Sequence, residues 1–448
     1  MFGRILLGLA LAGAIAIGEL VAWQWRGELP PSTASAHSFD PGIVAKGAQL
    51  AAIGDCAGCH TTSGGKSYAG GFPVETPFGI IYGPNITPDR DTGIGTWSEE
   101  AFRRAMREGV ARDGTHLYPA FPYDHFTKLT DGDISALYSF LMTRDPAMRT
   151  NRTPQLAFPL NSRIFAASWQ LLFLDKGPYR SDPSQSADWN RGAYLVEGLG
   201  HCGACHTPRN KLGAEEKHQR FAGGEGENWN APPLNATSPA PVPWTADQLF
   251  AYLKYGFTDQ HGFAAGPMQL VSTNLSKAPN ADVRAIATYI AAFAGPRDTA
   301  GRQRQTDAAL AFAQQRALTV NELSRATTGA APANGASPGG TLFAGACATC
   351  HRSGGGLPVS RPVALALSTP VNASRPDNLL RIVLNGIHPP PGRRGPIMPG
   401  FSGALTDPQL LALVDYVRTH YSRGPAWANV AAALADVRRK QTPTTEAP

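Results

Sequence analysis

A five-residue pattern occurs three times in this chain, as Cys56-Ala57-Gly58-Cys59-His60, Cys202-Gly203-Ala204-Cys205-His206 and Cys347-Ala348-Thr349-Cys350-His351, and it uses all 6 cysteines. Two thiols three positions apart lie on one side of a helical turn. There they can form thioethers with the two vinyl groups of a haem, and the histidine that follows supplies an imidazole as proximal iron ligand. A bare C-x-x-C also reads as a zinc half-site or a redox dithiol. Three complete matches with no cysteine left over argue against both, and a disulfide across two intervening residues closes a loop too small to staple a domain. The expectation is three covalently bound haem c groups, attached through Cys56, Cys59, Cys202, Cys205, Cys347 and Cys350, with His60, His206 and His351 on iron.

Cys202 follows Cys56 by 146 positions and Cys347 follows Cys202 by 145, which marks an internal repeat in a chain of 448 residues. Other stretches repeat with it. Gly192-Ala193-Tyr194-Leu195 matches Gly47-Ala48-Gln49-Leu50, Asn235-Ala236-Thr237 matches Asn85-Ile86-Thr87, and Trp244-Thr245 matches Trp97-Ser98 at a helix start. The expected fold class is mainly α: three tandem class I-like cytochrome c domains with long loops, after an N-terminal transmembrane helix or signal peptide. The bounds read as 1–38 for the N-terminal segment, 39–185, 186–327 and 339–425 for the domains, 328–338 for a linker, and 426–448 for a short helix and disordered tail. The 48 glycines and 38 prolines, against only 17% charged residues, suit small domains whose cores are largely haem wrapped in loops.

Local signals place these domains on helices. Residues 45–53 are apolar at helical spacing ahead of the first motif, while 70–72 and 79–84 are turn-rich. Ser98 reads as the N-cap of a helix running to Gly109, and Thr130 with Asp133 reads as a capping box. Residues 160–174, with Ile164, Phe165, Trp169, Leu172 and Phe173, read as a packed interdomain helix, with a membrane-surface or quinone contact as the alternative. Residues 281–293 close the second domain, 377–386 form the middle helix of the third, and Thr406 caps its last.

Residues 5–25 are apolar except for Glu19 and Gln24, long enough to span a hydrocarbon core of about 30 Å. Anchor and signal peptide are both open, and either places the chain outside the cytoplasmic membrane, on the periplasmic side. The net charge of +6 is scattered rather than gathered with aromatics, which argues against nucleic acid as a partner.

A transfer-only haem generally has both axial positions filled. Among the 6 methionines, Met268 lies 62 residues after His206 and Met398 lies 47 after His351, each in a loop before a closing helix, so both are candidate sixth ligands. Counting from Trp97 as Met268 counts from Trp244 reaches Phe121, whose ring cannot bind iron. For the first iron His125 is the leading candidate, with Met106, His116 or an open position as alternatives.

These residues resemble the three-haem cytochrome c subunits of bacterial membrane-bound alcohol, gluconate and aldehyde dehydrogenases. The resemblance runs from about Gly47 to Tyr421 and is most specific over residues 189–210 and the loop Leu117-Tyr118-Pro119-Ala120-Phe121-Pro122-Tyr123. In the alcohol and gluconate branches the slot of Phe121 usually carries methionine. The variant here is similar to the cytochrome subunits that accompany molybdenum hydroxylases. The resemblance implies a partner dehydrogenase with molybdopterin and a small iron–sulfur subunit, ubiquinone as acceptor, and the inner membrane as location. A subunit of a PQQ alcohol or flavin gluconate-type dehydrogenase, a haem enzyme with an open first iron, and a free-standing redox shuttle are the other readings. No paired carboxylates or nucleotide loop point to substrate chemistry in this chain.

Overall fold

The computed structural model describes residues 8, 11, 18, 26–32, 39–296, 298–317, 337–352, 364–389 and 397–441. Most of the expected span at 5–25, most of the linker 328–338 and the tail beyond 441 lie outside them. Among the described residues no helix is long and apolar enough to cross a membrane. The chain divides into two compact units. One holds the residues up to Cys202 with Lys211–Ala214 and Lys277–Pro279, and the other holds Gly203–Asn210, Glu215–Ser276 and Asn280–Pro448.

In the first unit α1 (Pro41–Ile53) leads into the one-turn helix α2 (Cys56–His60), then the hairpin β1 (Pro73–Thr76) and β2 (Gly79–Tyr82), and α3 (Glu99–Glu108). Then come α4 (Tyr123–Phe126), α5 (Asp131–Met142), β3 (Gln155–Leu156), α6 (Arg163–Phe173) and α7 (Ala187–Glu197). Pro41 sits in the first turn of α1, where its missing N–H costs nothing, and the Asp40 carboxylate caps the Ile43 N–H. Helix α1 packs across α5 at Gly47, where a Cβ would run into the Ala136 carbonyl and come within 2.6 Å of Phe140 Cβ. Leu50, Phe102, Ile134, Leu137 and Leu141 are buried in this unit.

Ser98 caps α3 as expected. The capping box at Thr130 is only half made. Thr130 accepts from the Asp133 N–H, but the buried Asp133 carboxylate goes instead to Lys46 Nζ (2.6 Å) and the Tyr194 hydroxyl (2.5 Å). A buried carboxylate gains more from a charge-assisted pair and a hydroxyl donor than from one backbone amide. The turn-rich stretch 70–84 contains a real hairpin, with β2 central in the order β1-β2-β3. Helix α6 starts at Arg163, after the Ser162 N-cap. Its inner face packs Trp169 edge-on to Tyr123 at 5.9 Å and donates the indole N–H to Leu212 O, while Ile164, Leu171 and Leu172 on its other side are exposed.

The second unit begins with α8 (Gly203–His206), the hairpin β4 (Gly224–Gly226) and β5 (Trp229–Ala231), and α9 (Ala246–Tyr255). The hairpin β6 (Phe257–Thr258) and β7 (Gly262–Phe263) then leads to α10 (Pro267–Leu275), α11 (Asn280–Ala291) and α12 (Thr299–Arg316). Helix α9 packs on both α10 and α11. The last part holds α13 (Pro338–Ala346), α14 (Ala348–His351), α15 (Thr369–Asn372), α16 (Asp377–Asn385), α17 (Asp407–Tyr421) and α18 (Val430–Gln441). Thr245 and Thr406 make complete capping boxes with Gln248 and Gln409. Helix α13 crosses α17 with Gly339 against the Ala412 carbonyl, as Gly47 meets Ala136 in the first unit. Phe343, Leu380, Leu384, Leu410 and Val414 form the core beneath this crossing, with Ala309 and Ala313 of α12.

The repeat reaches side-chain detail. Thr87 donates both its N–H and its hydroxyl to Asn85 Oδ1, and Thr237 does the same to Asn235 Oδ1, at 3.0 and 2.7 Å in each case.

Candidate haem sites

All three motifs sit on one-turn helices, and none of the six cysteines is in a disulfide. Nearby backbone closes on them. A Cβ on Gly226 of β4 would stand 2.6 Å from Cys205 Sγ, and one on Gly83 would collide with the Cys59 carbonyl. Glycine is what lets these strands pass so near the attachment points.

The histidine tautomers are set by main-chain acceptors. His60 Nδ1 lies 2.7 Å from Pro84 O, and His206 Nδ1 lies 2.8 Å from Pro232 O. A carbonyl oxygen has no proton to give, so Nδ1 carries the hydrogen and the lone pair is on Nε2. Burial lowers the pKa of both imidazoles, against an opposing push from the carbonyl, so they are neutral near pH 7. A neutral imidazole with Nδ1–H held by a backbone carbonyl is the form in which histidine binds a metal through Nε2. Burial also lowers the pKa of His351. Its Nδ1 is buried and has no partner among the described residues, residues 353–363 lying outside them. The donor set fits haem at all three motifs: paired thiols, a neutral imidazole directly after them, and, at the first two, glycine-lined backbone beside.

The methionine register is the same in the first two repeats. Gly109 and Gly256 end α3 and α9 with left-handed backbone, and their carbonyls accept the N–H groups of Leu117 (2.7 Å) and Ala264 (2.8 Å). Four residues further on stand Phe121 and Met268. Met268 is not in a loop, as expected, but in the first turn of α10. Gly266 turns the chain at φ 56° and Pro267 takes the first helical position. Met398 is half-buried and bridges Ile387 by reciprocal backbone hydrogen bonds of 2.9 and 2.8 Å.

In the segment after α3, Phe121 packs on Tyr123 and Phe126. His125 is buried and its Nδ1 donates to Glu197 O at 2.8 Å, the arrangement found at His60 and His206. His201, directly before Cys202, lies edge-on to His125 at 6.3 Å between centroids. His116 is buried too, with Nδ1 at 2.6 Å from Gln170 Oε1. Met106 is inside the α3 core and Met148 is exposed. The backbone acceptors of these imidazoles have no sequence signal, because any residue supplies a carbonyl.

The cytochrome c family profile matches residues 44–145, and that of subunit III of cbb3-type cytochrome c oxidase matches residues 334–417. A nicotinate dehydrogenase subunit from Pseudomonas putida is 44% identical over 436 residues, covering 96% of this chain and 35% of that protein, so the chain spans about a third of that relative's length. The fructose dehydrogenase cytochrome subunit of Gluconobacter japonicus is 37% identical over 92% of this chain and 86% of its own. The cytochrome c subunit of a quinone alcohol dehydrogenase from Gluconacetobacter polyoxogenes is 32% identical over 91% and 86%. With three C-x-x-C-H helices and identity along nearly its whole length, the chain belongs to the family of cytochrome c subunits of bacterial dehydrogenases and carries three covalently bound haem c groups.

Proposed function

We propose that this chain is the electron-transfer subunit of a dehydrogenase complex on the periplasmic side of the inner membrane. It takes electrons from a molybdopterin and iron–sulfur partner that oxidises an aldehyde or an N-heterocycle, and delivers them to ubiquinone. The reading is carried by one observation: Phe121 replaces the methionine of the repeat register while a buried His125 beside it has its Nδ1–H held by a carbonyl. That variant is unlike the alcohol and gluconate type, whose slot usually carries methionine, and the identity to a nicotinate dehydrogenase subunit supports the molybdenum hydroxylase branch.

Bound haem supplies reversible one-electron chemistry at iron. The chain attaches it through Cys56 and Cys59, Cys202 and Cys205, and Cys347 and Cys350. His60, His206 and His351 would hold the iron from one side of each haem, with His125, Met268 and Met398 as the second donors. Two imidazoles would favour the ferric state more than an imidazole and a thioether, so a first haem held by His60 and His125 would be the lowest in potential and suited to receive electrons first. The exposed Ile164, Leu171 and Leu172 of α6 support contact with lipid or a membrane partner.

Purifying the native complex from membranes and identifying its chains and metals tests the reading. Molybdenum and iron–sulfur clusters are expected, and PQQ or flavin in the co-purifying chain would replace it with the alcohol or gluconate type.

A further inference from the structure

His261 is only 5% exposed, and neither of its ring nitrogens has a hydrogen-bond partner among the described residues. It follows β6, its own N–H bonded to Thr258 Oγ1 at 3.1 Å, with its ring stacked on Trp244 at 3.5 Å and 10°. Burial pushes its pKa down to about 3, so the ring is neutral, with one N–H to give and one lone pair to fill. Leaving a buried polar group unpaired costs about 1–3 kcal/mol, and such a group in a native protein calls for a partner.

The surroundings indicate which partner. His261 stands seven residues before Met268, in one segment with Gly266. A Cβ on Gly266 would press on the Trp229 ring of β5. Its hairpin mate β4 lies against Cys205 at Gly226. A haem held by Cys205 would lie beside β4, and Gly266, five residues after His261 and two before Met268, touches the Trp229 ring of the same hairpin. With both axial positions taken, the strong hydrogen-bonding groups left on such a haem are its two propionate carboxylates.

We propose that His261 is a positioning residue that donates a ring N–H to a propionate of the second haem, an inference that rests on attachment of that haem at Cys202 and Cys205. Stacking on Trp244 fixes the ring plane. The donated hydrogen offsets carboxylate charge near the iron, so its loss favours the ferric state and lowers the potential of this haem alone.

The test compares His261→Phe, which keeps the stacking, with His261→Gln, which keeps a donor, in the full-length holoprotein. Met268→Ala identifies the signals of the second haem. Expected are a downward shift of that haem's potential in His261→Phe with its low-spin spectrum retained, and recovery toward wild type in His261→Gln. In unsubstituted protein with nitrogen-labelled histidine, the His261 N–H should show a paramagnetic shift that collapses on reduction. Unchanged potentials in His261→Phe, or a ring N–H without a paramagnetic shift, overturn the proposal. So does loss of the low-spin state, which would make the imidazole an iron ligand. If Met268→Ala alters no haem, the axial assignment fails, while the paramagnetic shift still decides whether His261 meets a haem.

Discussion

His125 donates its Nδ1–H to the carbonyl oxygen of Glu197 across 2.8 Å, and Glu197 is the last residue of the helix leading to the second C-x-x-C-H motif. Carbonyls at a helix end lack an intrahelical partner, so the bond satisfies one of them while orienting the imidazole.

If this imidazole is the sixth ligand of the first iron, the wild-type protein has three low-spin haems, one of them bis-histidine. His125→Ala should turn that haem high-spin and let it bind carbon monoxide when reduced, as read by magnetic resonance and near-infrared dichroism. A bis-histidine signal surviving in the variant would assign the role to His116. A haem already high-spin in wild type would favour the reading with an open first iron.

Met268→Ala and Met398→Ala should each remove the thioether charge-transfer band of one haem and lower its potential. Redox titration with optical detection checks both. An unchanged spectrum in either variant would mean that the methionine only packs.

At the crossing of α1 and α5, Gly47→Ala should destabilise the first unit by about 1–3 kcal/mol, because the added methyl meets the Ala136 carbonyl. A methyl at Gly132 in α5 meets no described atom within 4 Å, so Gly132→Ala should be neutral or stabilising by about 0.5–1 kcal/mol. Thermal unfolding of the two holoproteins should move in opposite directions.

What was legible in the sequence is what chemistry writes in contiguous residues. The haem motifs, the caps at Ser98, Thr245 and Thr406, and the repeat of Asn85 and Thr87 in Asn235 and Thr237 all belong to this class. The hairpin of β1 and β2 was hidden because its four-residue strands are bounded by Gly70, Gly71 and Gly83, which read as turns. The Asp133 carboxylate escaped because its partners Lys46 and Tyr194 lie 87 and 61 positions away. The burial of His261 follows from the stacking with Trp244, which no local pattern encodes.

Pro84 and Pro232 hold His60 and His206 by their carbonyls, and no single codon change deletes a peptide carbonyl. The electron donation of these two imidazoles is thus insulated from side-chain drift on the acceptor side. Divergence between the first two haems would then fall to other positions of the repeat, such as the one that holds Phe121 in the first and Met268 in the second. A family built this way can retune its redox ladder one rung at a time without reopening the proximal bond.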